Sequence, residues 1–273
     1  MDFSTRPSNV RVCQFHHSGT GAGKKILEGA PTACQTGLCY HPGLFGWATG
    51  GRLGNLSPEH IAQGLMIYVV LLFSLSVHES AHGWMAWKLG DETAMRLGRV
   101  SLNPIVHIDP IGTLLFPLIQ IFTSVPLLGW AKPTPYNPAN FRRDVSMRTG
   151  HVLVAAAGPV SNFLLALLFT GVLVALMRSG LVQSRDSFLL NLAMLGIELN
   201  VLLAVFNLIP IPPLDGSKVA SFGLRGDLGD KYDRAVGPYG FVILMVLLMS
   251  GALGYIVRPI ESLILTVLYT LVG

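Results

Sequence analysis

The chain has 273 residues, of which 51% are hydrophobic and only 12% charged. That balance excludes an ordinary soluble globular domain and points to a membrane protein. The formal net charge of +4 is spread over loops, with no basic tract suited to nucleic acid, so no nucleic-acid partner is expected. The three cysteines all precede residue 40 and give no disulfide framework.

Residues 1–58 lack helical periodicity and any apolar run of membrane length, and they read as a flexible N-terminal tail. Ser57, Pro58 and Glu59 then form a helix entry: a cap, a proline in the first turn and an acid. A first membrane helix is expected from about His60 to Leu89, ended by Gly90-Asp91. Residues 61–77 carry no charge at all, and the stretch VHESAHGW follows late in the same helix. His78 and His82 are four residues apart, so a helix puts both imidazoles on one face. With Glu79 they form the H-E-x-x-H pattern of two zinc ligands and a general base. Ionisable residues within a membrane helix are expensive, which favours function over chance.

Residues 96–102 alternate loosely and suit a short β-strand at the membrane surface. Residues 111–130 are apolar but broken by Gly112, Pro117, Pro126 and Gly129, as in a spanning helix or a re-entrant hairpin. A polar loop leads to a second span at 150–177, which contains Gly158-Pro159 and Asn162. A third span at 188–209 ends in a run with prolines at 210, 212 and 213, followed by Asp215-Gly216. After a polar loop, residues 239–253 and 260–272 read as two further apolar helices.

A catalytic zinc ion usually has three protein ligands and a water. Asp215 is the favoured third ligand, because the prolines unwind the backbone and Gly216 allows a tight turn; Glu198 is the alternative. His78 and His82 are late in their helix and Asp215 ends its own, so both helices must cross the membrane in the same direction. One crossing between them satisfies this, so residues 111–130 are expected not to cross fully. Basic residues near the spans are more frequent on the metal side, which marks that side as cytoplasmic.

The expected fold is therefore an all-α polytopic membrane protein. A three-helix catalytic core is joined by a membrane-associated hairpin with a short β region and by two C-terminal apolar helices. The expected divisions are a tail at 1–58, the core at 59–236 and C-terminal membrane helices at 237–273.

Three ordered motifs carry a family resemblance: His78-Glu79-Ser80-Ala81-His82, Gly158-Pro159-Val160-Ser161-Asn162, and the run from Asn207 to Gly216. Together they resemble the site-2 protease family of intramembrane zinc metalloproteases. The stretches GRVSLNP, HIDPIGT and GWAKP resemble its small prokaryotic branch, which lacks a PDZ domain. The resemblance covers roughly residues 60–250. It implies one Zn²⁺ per chain bound by His78, His82 and Asp215, with Glu79 as general base. It also implies a role for Asn162 near the substrate backbone or oxyanion. Asn207 is expected to support the unwound segment. His107 is a candidate supporting or gating residue, or a loop histidine bonded to its own backbone. The implied partners are transmembrane protein substrates and the lipid bilayer, in the plasma membrane of a prokaryote. A divalent-metal transporter and an inactive helix-binding relative are the competing readings, and neither requires Glu79 as a base.

Overall fold

The computed structural model describes residues 58–123, 129–179, 187–224 and 227–270; the expected tail lies outside them apart from Pro58. Nearly every described segment is helical because the sequence offers long apolar runs between Gly and Pro breaks. Helix α1 spans Pro58–Lys88 and stops where Gly90 takes a positive φ of 111°. A single turn, α2, occupies Thr93–Arg96. A 3₁₀ turn at Pro104–His107 and a π-helical segment at Pro110–Leu115 lead into α3, Phe116–Thr123. Helix α4 runs over Met147–Arg178, entered through the Ser146 side chain, which accepts from the Thr149 N–H. Helix α5 covers Phe188–Asn207 and α6 covers Asp215–Gly223. Three more helices follow: α7 at Leu228–Val236, α8 at Gly240–Met249 and α9 at Ala252–Thr270.

Four stretches are long and apolar enough to cross a membrane: Ile61–Lys88, Met147–Arg178, Phe188–Asn207 and Leu228–Met249. The 20 residues of α5 extend about 30 Å, the thickness of a bilayer's hydrocarbon. Their outward faces are apolar: Val69, Leu168, Leu189 and Val242 are all exposed. In water such a surface would be a liability, whereas lipid matches it.

Inside, α4 packs against α1, α5 and α6. Ala166 and Leu173 of α4 meet Ala193, Ile197 and Val201 of α5, with Leu244 of α8 and Val257 of α9 closing the cluster. Small residues let the helices approach, and a Cβ on Gly196 would lie 2.6 Å from the Phe169 ring.

The expected short β region is not found: no strand occurs among the described residues. Residues 93–96 form a helical turn instead, and Gly98, at φ +67°, redirects the chain. Beyond it, side chains rather than a neighbouring strand take the Ser101 peptide groups. The Ser101 N–H donates to Ser80 Oγ at 3.2 Å, and its carbonyl accepts from His107 Nε2 at 2.9 Å.

The two ends of residues 111–130 sit side by side. Thr113 Oγ1 donates to the Trp130 carbonyl at 2.9 Å, and a Cβ on Gly112 would strike the Trp130 ring. The Lys132 N–H donates to the His107 carbonyl at 2.9 Å. The described ends of this stretch therefore lie close together.

Candidate metal centre

Two residues late in α1, one face of the first half of α4 and the chain just beyond α5 meet at a common level. His78 and His82 stand one turn apart on α1, their ring centroids 4.6 Å apart and their planes at 86°. Asp215 opens α6, and its Oδ2 lies 3.2 Å from His78 Nε2 and 3.4 Å from His82 Nε2. Gly216 makes this possible, since a Cβ there would lie 2.2 Å from the Leu208 carbonyl oxygen.

Each imidazole is fixed from behind. His82 Nδ1 donates to the Val154 carbonyl at 2.7 Å, and His78 Nδ1 donates to Asn162 Oδ1 at 2.6 Å. Both Nε2 lone pairs are thereby left to face Asp215. Two imidazoles and a carboxylate suit zinc. Ligand atoms about 2.0–2.1 Å from a tetrahedral ion stand about 3.3 Å apart, close to the separations found here. Gly158 of α4 leaves the rings their space: a Cβ there would lie 2.5 Å from atoms of both imidazoles.

Glu79 completes the cluster. Ligand atoms of His78, Glu79 and His82 all lie within 4.8 Å of one another. The Thr134 N–H donates to the Glu79 carboxylate Oε2 at 2.8 Å. The Thr134 hydroxyl donates to the Glu79 carbonyl at 3.0 Å.

The chain is 38% identical to a protein of Bacillus subtilis named "Putative zinc metalloprotease YwhC", over 71% of this chain and 86% of the relative. The chain belongs to peptidase family M50. The model of that family matches residues 179–250, a stretch that contains Asp215. Two mycobacterial proteins named Rip2 carry the same description. The one from Mycolicibacterium smegmatis is 32% identical over 76% of this chain and 77% of its own length. The one from Mycobacterium tuberculosis is 30% identical over 77% of this chain and 80% of its own length. No solved structure matches the chain.

The remaining expected residues of this M50 peptidase fall at different depths. Asn162 is fully buried behind His78. Its Nδ2 donates to Asn200 Oδ1 at 2.9 Å, and Asn200 Nδ2 donates to Ser74 Oγ at 3.0 Å. His107 is also buried, tied through Nε2 to the Ser101 carbonyl, with Nδ1 lacking a hydrogen-bond partner. Burial lowers its basicity. Asn207 is not brought to the ion position: it ends α5, where its Nδ2 donates to the Leu203 carbonyl at 2.9 Å. Glu198 lies two residues from Asn200, on another face of α5, and is outside the His78-Glu79-His82 group.

Ser74, Asn200 and Thr134 were not singled out from sequence. Ser74 and Asn200 had a usable signal, a polar residue inside an apolar helix one turn or more from a motif. Thr134 had none, because 55 residues separate it from Glu79.

Proposed function

We propose that this membrane-embedded zinc metalloprotease hydrolyses peptide bonds in or near the transmembrane segments of membrane proteins. In this reading His78, His82 and Asp215 hold the zinc and Glu79 is the general base. The observation that carries it is the placing of Asp215 Oδ2 between both Nε2 atoms, with the Glu79 carboxylate alongside. Bound zinc supplies Lewis acidity to the attacking water and to the scissile carbonyl. Glu79 takes a proton from the water and delivers it to the leaving amine. Thr134 keeps that carboxylate aimed, and it leaves Oε1 for the proton. The full burial of Asn162 favours a part in orienting His78 over contact with substrate.

A helical substrate hides its amides, so it must unwind before cleavage. The side chains of Ser80 and His107 take the Ser101 peptide groups, and Val100 and Leu102 flank it. An apolar cleft of about 400 Å³ between α1 and α4 opens beside them, lined by Trp84, Met85, Val160 and Leu164. We place the unwound substrate in this cleft. The basic bias of the metal-side loops supports a cytoplasmic active site in a plasma membrane.

The test is cleavage of a single-span substrate in liposomes by wild type and Glu79→Gln, with zinc quantified in both. Zinc in both and cleavage by the wild type alone supports the assignment. Equal cleavage by the two removes Glu79 as the base.

A further inference from the structure

A second cavity of about 400 Å³ opens on the metal side, walled by the start of α4 and by α6 and α7. Among its lining residues are Arg148, His151, Lys218, Asp230 and Asp233. It adjoins the metal centre without sharing residues with it. Lys218 follows Asp215 by three positions in α6, and His151 precedes Val154 by three in α4.

The charges in this cavity are unevenly committed. Arg148 caps α6, donating through Nη2 to the carbonyls of Ser221 at 2.8 Å, Phe222 at 3.2 Å and Leu224 at 2.6 Å. His151 shares a hydrogen bond with the Tyr136 hydroxyl at 3.0 Å. Arg234 Nε reaches the Asp230 backbone carbonyl at 3.2 Å, not its carboxylate. Asp230 and Asp233 form no ion pair among the described residues, and Lys218 joins neither. Asp233 Oδ1 is buried without any hydrogen-bond partner. A buried acceptor left without a donor is costly, so a donor brought to this carboxylate would be favourable. The carboxylates of Asp230 and Asp233 and the Lys218 ammonium thus stand without an ion-pair partner among the described residues, while Arg148 is occupied by carbonyls.

We infer that this cavity receives a Lys or Arg side chain from the flank of the substrate's transmembrane segment. The inference rests on the proteolytic reading above and adds a determinant of substrate choice. Membrane spans carry their Lys and Arg mainly on one side of the bilayer. This chain's own metal-side loops hold Arg96, Lys132, Arg142 and Arg143. A substrate in the same membrane therefore presents its basic flank on the side where the cavity opens. A guanidinium fork suits the unpaired Asp233 carboxylate. Lys218 on the opposite wall disfavours a second positive charge. A metal ion suits this cavity less: among the described residues, the one group of three or more ligand residues close enough to hold an ion is His78, Glu79 and His82, which includes none of the cavity's residues.

The experiment uses the full chain in liposomes and two single-span substrates that differ only at the metal-side flank, Arg-Lys in one and Gln-Gln in the other. Wild type is expected to show a KM about fivefold or more lower for the basic flank, with similar kcat. Asp233→Asn, alone and with Asp230→Asn, is expected to lose that preference while cutting the Gln-Gln substrate as wild type does, which also reports correct folding. Equal KM values for wild type on both substrates, or a preference unchanged in the double variant, would overturn the proposal and leave the protease assignment intact. Failure of wild type to cut either substrate would overturn the protease reading, and this proposal with it.

Discussion

Thr134 holds Glu79 at two points, its N–H on the carboxylate Oε2 at 2.8 Å and its hydroxyl on the backbone carbonyl at 3.0 Å. A loop residue thus fixes both the side chain and the local backbone of the candidate base. Glu79→Gln is expected to lower kcat by about 10²–10⁴-fold with zinc retained. Thr134→Val keeps the N–H and removes the hydroxyl, so it should lower kcat by only a few-fold. Single-turnover cleavage separates the two; a Thr134→Val loss as large as that of Glu79→Gln would contradict the division of roles.

The chain of hydrogen bonds from Ser74 through Asn200 and Asn162 to His78 predicts a metal effect at a distance. Asn162→Ala should weaken zinc affinity by about 10–100-fold. Asn200→Ala should weaken it less, because Asn162 keeps its bond to His78. Competition with a chelator gives both values, and an Asn200→Ala effect above that of Asn162→Ala would break the proposed order.

Gly158 offers a test in which helix propensity and site geometry oppose each other. Ala is worth about 1 kcal/mol more than Gly in a helix interior. Here its Cβ would sit 2.5 Å from both imidazoles. Gly158→Ala should therefore lose zinc and cleavage while the protein remains helical by circular dichroism. Normal zinc content in that variant would show that the rings have more room than the structure gives them.

Arg148 should act on Asp215 through α6, since it anchors the far end of the nine-residue helix that Asp215 begins. Arg148→Ala should weaken zinc binding, and Arg148→Lys should restore part of it, a cation at a helix C-terminus being favourable. Equal zinc affinity in Arg148→Ala and wild type would remove this coupling.

Two loop residues predict how stability falls with acid. His107 is less basic than usual because it is buried, so the fold favours its neutral form. Its contribution is complete above about pH 6.5 and declines as the pH falls below that value. Burial pushes the Asp91 carboxyl up, but hydrogen bonds from Thr93, Asn140 and Asn137 hold it below its ordinary value. That contribution is complete above about pH 3.9 and is lost as the pH falls through the lower folded value. Thermal unfolding in detergent should show a decline between pH 7 and 5 that His107→Asn flattens. An unchanged slope in that variant would assign the decline to other groups.

The apolar runs that became α1, α4 and α5 were readable because lipid imposes a length and excludes charge. Their observed limits lie within a few residues of those expected. The spacing of His78 and His82 was equally plain, since a helix converts it directly into shared orientation. Residues 96–102 misled because loose alternation mimics a strand, while the actual hydrogen-bond partners are the side chains of Ser80 and His107. The expected apolar helix from residue 239 corresponds to α8, Gly240–Met249, whereas the candidate span Leu228–Met249 also takes in the polar helix α7. Thr134 and Arg148 were hidden for another reason: their partners lie far off in sequence, and nothing in one chain's spacing records such meetings.

The bonds among Ser74, Asn200, Asn162 and His78 join α1, α4 and α5 without involving the metal. Between helices in lipid, packing and such polar contacts set which faces meet. Small zinc domains fold only as they take up their ion. On the proposed ligand set this bundle would be organised differently: the bonds that set its register would form without the ion, and Asp215 would join the two histidines from a separate short helix. Membrane insertion and metallation would then be two events, and a cell short of zinc would accumulate an assembled but idle enzyme that metal alone can switch on.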